Sequence, residues 1–205
     1  MEYKTVKEFA SGEFVEKKSR FIGYINPVIS EEEARDFLEK IRKKHRDATH
    51  NVYAYAIAEN NINKFSDDGE PAKTAGAPVM DVITGEGLTN VIIVVTRYFG
   101  GTLLGTGGLV KAYKQAAKIA VDASETVIMT ESAEAVITSQ YGMWQKIEKL
   151  LSDTGCVITK LEYRDEVGAV FICKNEEFPK ISDGIVNLSN GTVKPYKTKT
   201  FYYGF

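Results

Sequence analysis

The chain's strongest constraint is the run Val91-Ile92-Ile93-Val94-Val95-Thr96, which leads directly into Arg97-Tyr98-Phe99-Gly100-Gly101. A run without apolar/polar alternation predicts a strand buried on both faces, hence a sheet covered by other elements on both sides. Five glycines then fall between Gly100 and Gly108. Beyond them Leu109, Tyr113, Ala116, Ala117 and Ala120 recur at helical spacing, with Lys111, Lys114 and Lys118 off that stripe. Buried strand, glycine-rich loop and helix thus read as one unit, with backbone amides free at the helix start.

The elements before it fit this picture. Ser30 and Glu33 form a capping-box pattern ahead of Ala34, Phe37, Leu38 and Ile41, and Arg42, Lys43, Lys44 and Arg46 follow where a helix ends. That basic end reads as a solvated surface more readily than as a phosphate contact. Asn51 to Ala58 alternates, with Tyr53, Tyr55 and Ile57 on one face and Val52, Ala54, Ala56 and Ala58 on the other. The bulky face needs filling, and the small one admits a close neighbour. Asp67-Asp68-Gly69-Glu70-Pro71-Ala72-Lys73-Thr74-Ala75-Gly76-Ala77-Pro78 reads as a loop of turn formers and carboxylates.

A chain of 205 residues makes one large or two small domains. The pattern loosens around Ala123 to Thr130, which places a boundary between 1–130 and 131–205. Each part is nearly neutral. The second part reads as a strand near Ala133 to Ser139, a helix carrying Met143, Ile147, Leu150 and Leu151, and a hairpin from Cys156 to Lys174. A helix on Phe178, Ile181, Ile185 and Leu188 and a final strand within Thr192 to Tyr203 complete it. The order βαββαβ is the ferredoxin-like split-βαβ arrangement, so the chain is expected to be α+β. A two-residue turn at Asp165-Glu166 would set Cys173 opposite Ile158 and diagonal to Cys156, as packing neighbours rather than a disulfide. Val167-Gly168-Ala169-Val170-Phe171-Ile172 lacks the basic and aromatic pattern of an RRM stacking strand.

Several function classes drop out. A net charge of −2 argues against a uniformly basic nucleic-acid binder, though not against a local basic patch. The aliphatic runs are too short for a membrane span, and Met1 to Phe9 has no apolar leader, so a cytoplasmic protein is expected. Two cysteines without CxxC spacing and two histidines, His45 and His50, supply neither a zinc framework nor a histidine-rich centre. The glycine loop lacks the Lys-Ser/Thr of a Walker sequence, and Val110 stands where GxGxxG needs its third glycine. No cofactor is expected. An anion at the helix start and a purely conformational role for the glycines both remain open, with Arg97 and Lys111 as flanking cations.

Together, Ser19-Arg20-Phe21-Ile22-Gly23, Ala48-Thr49-His50-Asn51, DDGEPAKTAGAP and VVTRYFGGTLLGTGGLVKAY resemble the IMPACT family, in particular its bacterial members. The resemblance implies a first domain of the ribosomal protein S5 domain 2-like fold and a second domain similar to domain V of elongation factor G. The first domain is in turn similar to domain IV of that factor. It also implies a translation context, because the eukaryotic relatives are translation regulators that compete for the activator of an initiation-factor kinase. Those relatives carry an N-terminal RWD domain for which this chain has no room, so their partner is not expected to transfer. The family motif falls on Arg20, on His50 and Asn51, and on Asp68, Gly69, Glu70, Pro71, Thr74 and Gly76. It continues on Arg97, Tyr98, Gly100, Gly101, Gly105, Gly107, Gly108 and Lys111.

These residues are the candidate surface. The leading expectation is a non-enzymatic regulatory protein that contacts RNA, the ribosome or a translation factor through the glycine loop and the adjacent acidic loop. The alternative is an enzyme handling a small phosphorylated ligand or nucleotide, with Mg²⁺ held by Asp68 and Glu70. In a third reading the motif mainly builds the fold, and function lies in a protein contact on the C-terminal sheet.

Overall fold

In the computed structural model, which describes residues 2–205, the aliphatic run occupies the centre of a sheet, as an unalternating strand must if both faces are to leave water. Along the chain lie β1 (Glu2–Val6), β2 (Ala10–Glu16), β3 (Ser19–Pro27), α1 (Glu31–Lys44), β4 (His50–Ile57), β5 (Ile62–Ser66) and α2 (Gly76–Gly85). Then come β6 (Val91–Tyr98), α3 (Thr106–Asp122), β7 (Thr126–Ser139), α4 (Tyr141–Asp153), β8 (Val157–Tyr163), β9 (Val167–Lys174), α5 (Phe178–Leu188) and β10 (Tyr196–Gly204). Contacts gather these into two compact units, residues 3–128 and residues 129–205 together with Glu2.

In the first unit five antiparallel strands run in the order β2-β3-β6-β4-β5. Helix α1 covers one face, where Leu38 and Ile41 pack with Ile22, Tyr24, Tyr55, Ile92 and Val94. The Ser30 hydroxyl caps its start by accepting from the Glu33 amide at 3.2 Å, and Glu33 reaches back to the Ile29 amide. Helices α2 and α3 cover the other face. There Val52, Ala54 and Ala56 of β4 and Val91, Ile93 and Val95 of β6 share a core with Ala112, Tyr113, Ala116, Ala117 and Ala120 of α3. Small residues on both sides let helix and sheet approach closely. Helix α2 begins in Gly76-Ala77-Pro78, residues that read locally as a turn.

In the second unit the sheet order is β10-β7-β9-β8, all antiparallel. With helices α4 and α5 this is the ferredoxin-like βαββαβ arrangement. Its core holds Ala133, Ala135, Ile137, Trp144, Ile147, Leu151, Phe171, Cys173, Ile181 and Ile185. The hairpin register differs from the two-residue-turn expectation. Tyr163 pairs with Val167 across a three-residue turn, and a bulge at Thr159 shifts the register again, so Val157 pairs with Ile172.

Candidate functional site

Pairing in the first sheet divides the expected site residues between its faces. Arg97 lies opposite both His50 and Phe21 and points toward α2 and α3. Asn51, Tyr98 and Arg20 alternate to the α1 side. The motif therefore does not form one continuous surface.

On the α2/α3 side the centre is an ion pair. Arg97 Nη1 donates to Glu70 Oε1 at 2.6 Å, and the Tyr113 hydroxyl donates to the same oxygen at 2.7 Å. The two charged side chains are only 6% and 4% exposed, so each serves as the other's counter-charge. The guanidinium also lies 5.4 Å from the Phe21 ring centre and 5.5 Å from that of Phe99, within cation–π range. Burial, and then the Glu70 charge, pushes the Tyr113 hydroxyl far above the usual tyrosine range, which keeps it a donor.

His50 stands beside this pair. Its Nδ1 lies 2.7 Å from the Asp68 carbonyl oxygen, which can only accept, so Nδ1 carries the proton. In the neutral ring Nε2 then holds the lone pair, 3.8 Å from Glu70 Oε1. These groups form one end of a cavity of about 430 Å³, otherwise walled mainly by Pro71, Phe99, Leu103, Leu104 and Leu109 and reaching Gly105 and Thr106 at the start of α3. That volume lies in the small-ligand range.

The acidic segment is organised from within. Asp67 accepts the backbone amides of Lys73, Ala75 and Gly76 at 2.8–3.0 Å, which folds the loop and caps the start of α2. Asp68 accepts the Asn51 amide at 2.7 Å and Arg42 Nη2 at 3.0 Å. Thr74 donates to the Pro71 carbonyl, and Gly69 sits at φ +89° against the His50 ring. Asp68 and Glu70, the pair expected to hold Mg²⁺, both have partners of their own. Asp68 answers a backbone amide and Arg42, Glu70 answers Arg97 and Tyr113, and among the described residues no group of three His, Cys, Asp or Glu side chains converges as a metal site.

The glycine loop is fastened at one end and open at the other. A Cβ on Gly100 would lie 2.0 Å from the Lys18 carbonyl, so only glycine permits this contact with the β2–β3 turn. The Ser19 hydroxyl strengthens it by accepting from the Gly100 amide at 3.2 Å. Gly105, at φ +75°, is the N-cap of α3 and supplies no capping side chain. The amides of Thr106, Gly107 and Gly108 therefore begin the helix without a side-chain cap. Gly101 and Leu103 are exposed, Leu103 at 83%.

The two cations expected to flank the loop part company. Arg97 is buried and neutralised. Lys111 is exposed, and among the described residues it has no ion-pair partner, whereas Lys114 pairs with Asp81 and Lys118 with Glu86 and Asp122. Lys111 shares a small depression with Lys17, Glu16, Leu104 and Gly108, and Lys18 follows in the turn that packs on Gly100. Lys17 and Lys18 are also exposed and unpaired among the described residues.

On the α1 side, Arg20 pairs with Glu13 at the surface. The Asn51 carboxamide oxygen accepts from the buried Thr96 hydroxyl. Tyr98 joins a cluster in which His45 Nε2 is 2.6 Å from the Tyr24 hydroxyl and Nδ1 is 2.8 Å from the Tyr98 hydroxyl. Burial, helped by Lys44 and Arg20, lowers the His45 pKa. Tyr113, Arg42, Ser19, Lys17 and Lys18 are not among the candidate site residues. Ser19 and Tyr113 do lie within the motif stretches, Arg42 lies in the basic end of α1, and Lys17 and Lys18 are two adjacent cations immediately before the first motif.

Residues 17–121 match the Impact N-terminal domain family. The chain is also 37% identical to the IMPACT family member YvyE of Bacillus subtilis, over 92% of this chain and 88% of that protein. The chain belongs to the IMPACT family. Family member YigZ of Escherichia coli is 38% identical over 87% of this chain and 89% of its own length. Protein IMPACT of Homo sapiens is 32% identical over 59% of this chain but only 39% of its own length. A crystal structure of a hypothetical protein superposes with a TM-score of 0.64 at 31% identity, covering 97% of this chain and 98% of that one. Among the described residues no helix is long and apolar enough to cross a membrane.

Proposed function

We propose that this IMPACT family protein is a translation-associated regulatory binding protein whose contact surface is the outer side of the glycine loop with the β2–β3 turn. Family membership supports the translation context, through the regulatory role of the eukaryotic members. The observation that carries the surface is the trio Lys17, Lys18 and Lys111, exposed and without an ion-pair partner among the described residues, around a loop whose helix start has no side-chain cap, while the neighbouring helix lysines are neutralised. Unpaired lysines and free helix-start amides suit the phosphates of RNA, as in ribosomal RNA. Exposed Leu103 and Phe99 offer apolar surface beside them. Arg97, Asp68 and Glu70 support this surface from inside rather than touching the partner.

The test is co-sedimentation with ribosomes and with bulk RNA across a salt series. Wild-type protein is expected to bind in a salt-sensitive way, and the variant with Lys17, Lys18 and Lys111 all changed to Ala is expected to bind weakly with a shallower salt dependence. Binding that ignores salt, or is unchanged in the triple variant, would remove this reading.

The cavity at His50 favours a second reading, a small phosphorylated ligand held at the start of α3. Titration of inorganic phosphate and nucleoside monophosphates, read by amide NMR shifts of Thr106 to Gly108, tests it. Unchanged shifts at millimolar ligand would dismiss it.

A further inference from the structure

Cys156 and Cys173 are 17 positions apart in the sequence but meet across the β8–β9 hairpin. Val157 pairs with Ile172 and Ile158 with Phe171, so one further step toward the open end of the hairpin sets Cys156 opposite Cys173. The Cys156 amide does not cross to β9. It donates to the Leu151 carbonyl at 2.9 Å, closing the end of α4. On β9 the Asn175 amide donates to the Glu131 carbonyl of β7, so by alternation Cys173 also turns its backbone groups to β7, and toward β8 it stands at a non-hydrogen-bonded position, where antiparallel strands bring opposed residues closest, about 4.5 Å between Cα atoms. That spacing lies within the range a disulfide spans.

The two thiols also differ in character. Cys173 is 1% exposed within the second unit's core, and Cys156 packs against that core while remaining partly accessible. The Cys156 Sγ lies 3.3 Å from the Thr154 hydroxyl. Hydrogen bonding from Cys173 outweighs the opposing effect of burial and, with a smaller contribution from Thr154, lowers the Cys156 pKa, while the same contact and burial raise that of Cys173. A partly accessible sulfur with the more readily ionised thiol, beside a buried one, matches the attacking and resolving roles of a dithiol.

We propose that Cys156 and Cys173 form a peroxide-reactive dithiol, a reversible modification site in the ferredoxin-like unit. The Cys156 thiolate attacks a peroxide oxygen; the O–O bond breaks, hydrogen peroxide is reduced, and water leaves with one added proton as Cys156 becomes a sulfenic acid. The Cys173 sulfur then attacks Cys156 Sγ, the S–O bond breaks, and the departing hydroxide takes the Cys173 proton to leave as a second water. Two thiols and one peroxide thus yield one disulfide and two waters. The bond would tie the α4–β8 junction to the inner strand β9.

The full chain treated with hydrogen peroxide, then analysed by intact mass and peptide mapping with and without dithiothreitol, tests this. The expected product lacks two hydrogens, joins the Cys156 and Cys173 peptides, and returns to the dithiol on reduction. Cys173→Ser should leave a Cys156 sulfenic acid that dimedone captures, and Cys156→Ser should leave Cys173 unreacted. Cys173→Ala serves if the serine variant fails to fold, as judged by circular dichroism. The rate should rise with pH as Cys156 ionises, at a pH below the ordinary thiol range, with the Glu177 charge opposing that ionisation. Two persistent free thiols, overoxidation of Cys156 without a disulfide, or disulfides only between molecules would each overturn the proposal.

Discussion

Arg97 Nη1 and Glu70 Oε1 meet at 2.6 Å beneath the glycine loop, both almost sealed from solvent, and the Tyr113 hydroxyl completes the oxygen's set of donors. Removing one partner strands the other's charge in the interior. Glu70→Ala and Arg97→Ala are each expected to cost about 3–5 kcal/mol. The double variant should lose much less than the sum, because no unpaired charge remains. Urea unfolding of the four proteins checks this, and additive losses would contradict the coupling.

Asp67 organises the neighbouring loop through three backbone amides. Asp67→Ala is expected to destabilise the first unit by about 2–3 kcal/mol, because charge-assisted bonds to backbone are lost together with the α2 cap. Hydrogen exchange should accelerate at Lys73, Ala75 and Gly76 before it does so in β6. Equal protection in variant and wild type would show that the loop is held by other means.

The proposed lysine surface makes a quantitative prediction. Each phosphate contact with a single strand contributes about −0.7 to the slope of log K against log salt, so removing Lys17, Lys18 and Lys111 should flatten it by roughly 2. Circular dichroism should be unchanged, since all three are exposed. A lower affinity with an unaltered slope would locate the lost contact elsewhere.

His45 gives a pH dependence with a definite sign. Its folded pKa lies below the unfolded value of about 6.5, because burial, Lys44 and Arg20 disfavour the charged ring. Its contribution is therefore complete above about pH 6.5 and is lost as pH falls through the lower folded pKa. Stability against urea should decline over that interval in wild type and decline less in His45→Gln. Parallel curves would assign the dependence to other groups.

How much could be read beforehand depended on whether a pattern was local. The small face of β4 and the alanine stripe of α3 each announced close packing, and they meet in one core. The unalternating run placed β6 at the sheet centre. Arg97 looked like a surface cation because its counter-charge lies 27 residues away and Tyr113 arrives from the next helix; neither distance is encoded in a window around the glycines. Helix α2 hid behind Gly76-Ala77-Pro78, and its cap comes from Asp67, nine residues before Gly76. The β8–β9 register escaped because a three-residue turn and the Thr159 bulge both depart from the simplest hairpin.

Gly100 has a consequence for recognition. Because its bare backbone rests on Lys18, the glycine loop is fixed to the β2–β3 turn that carries Lys17 and Lys18, and the same loop leads into α3, which carries Lys111, so the backbone sites of the three cations have a set spacing before any partner arrives. For the proposed contact, such a surface would act as a gauge: it would lose little chain entropy on docking, and would select partners by the interval between their phosphates rather than by the identity of their bases.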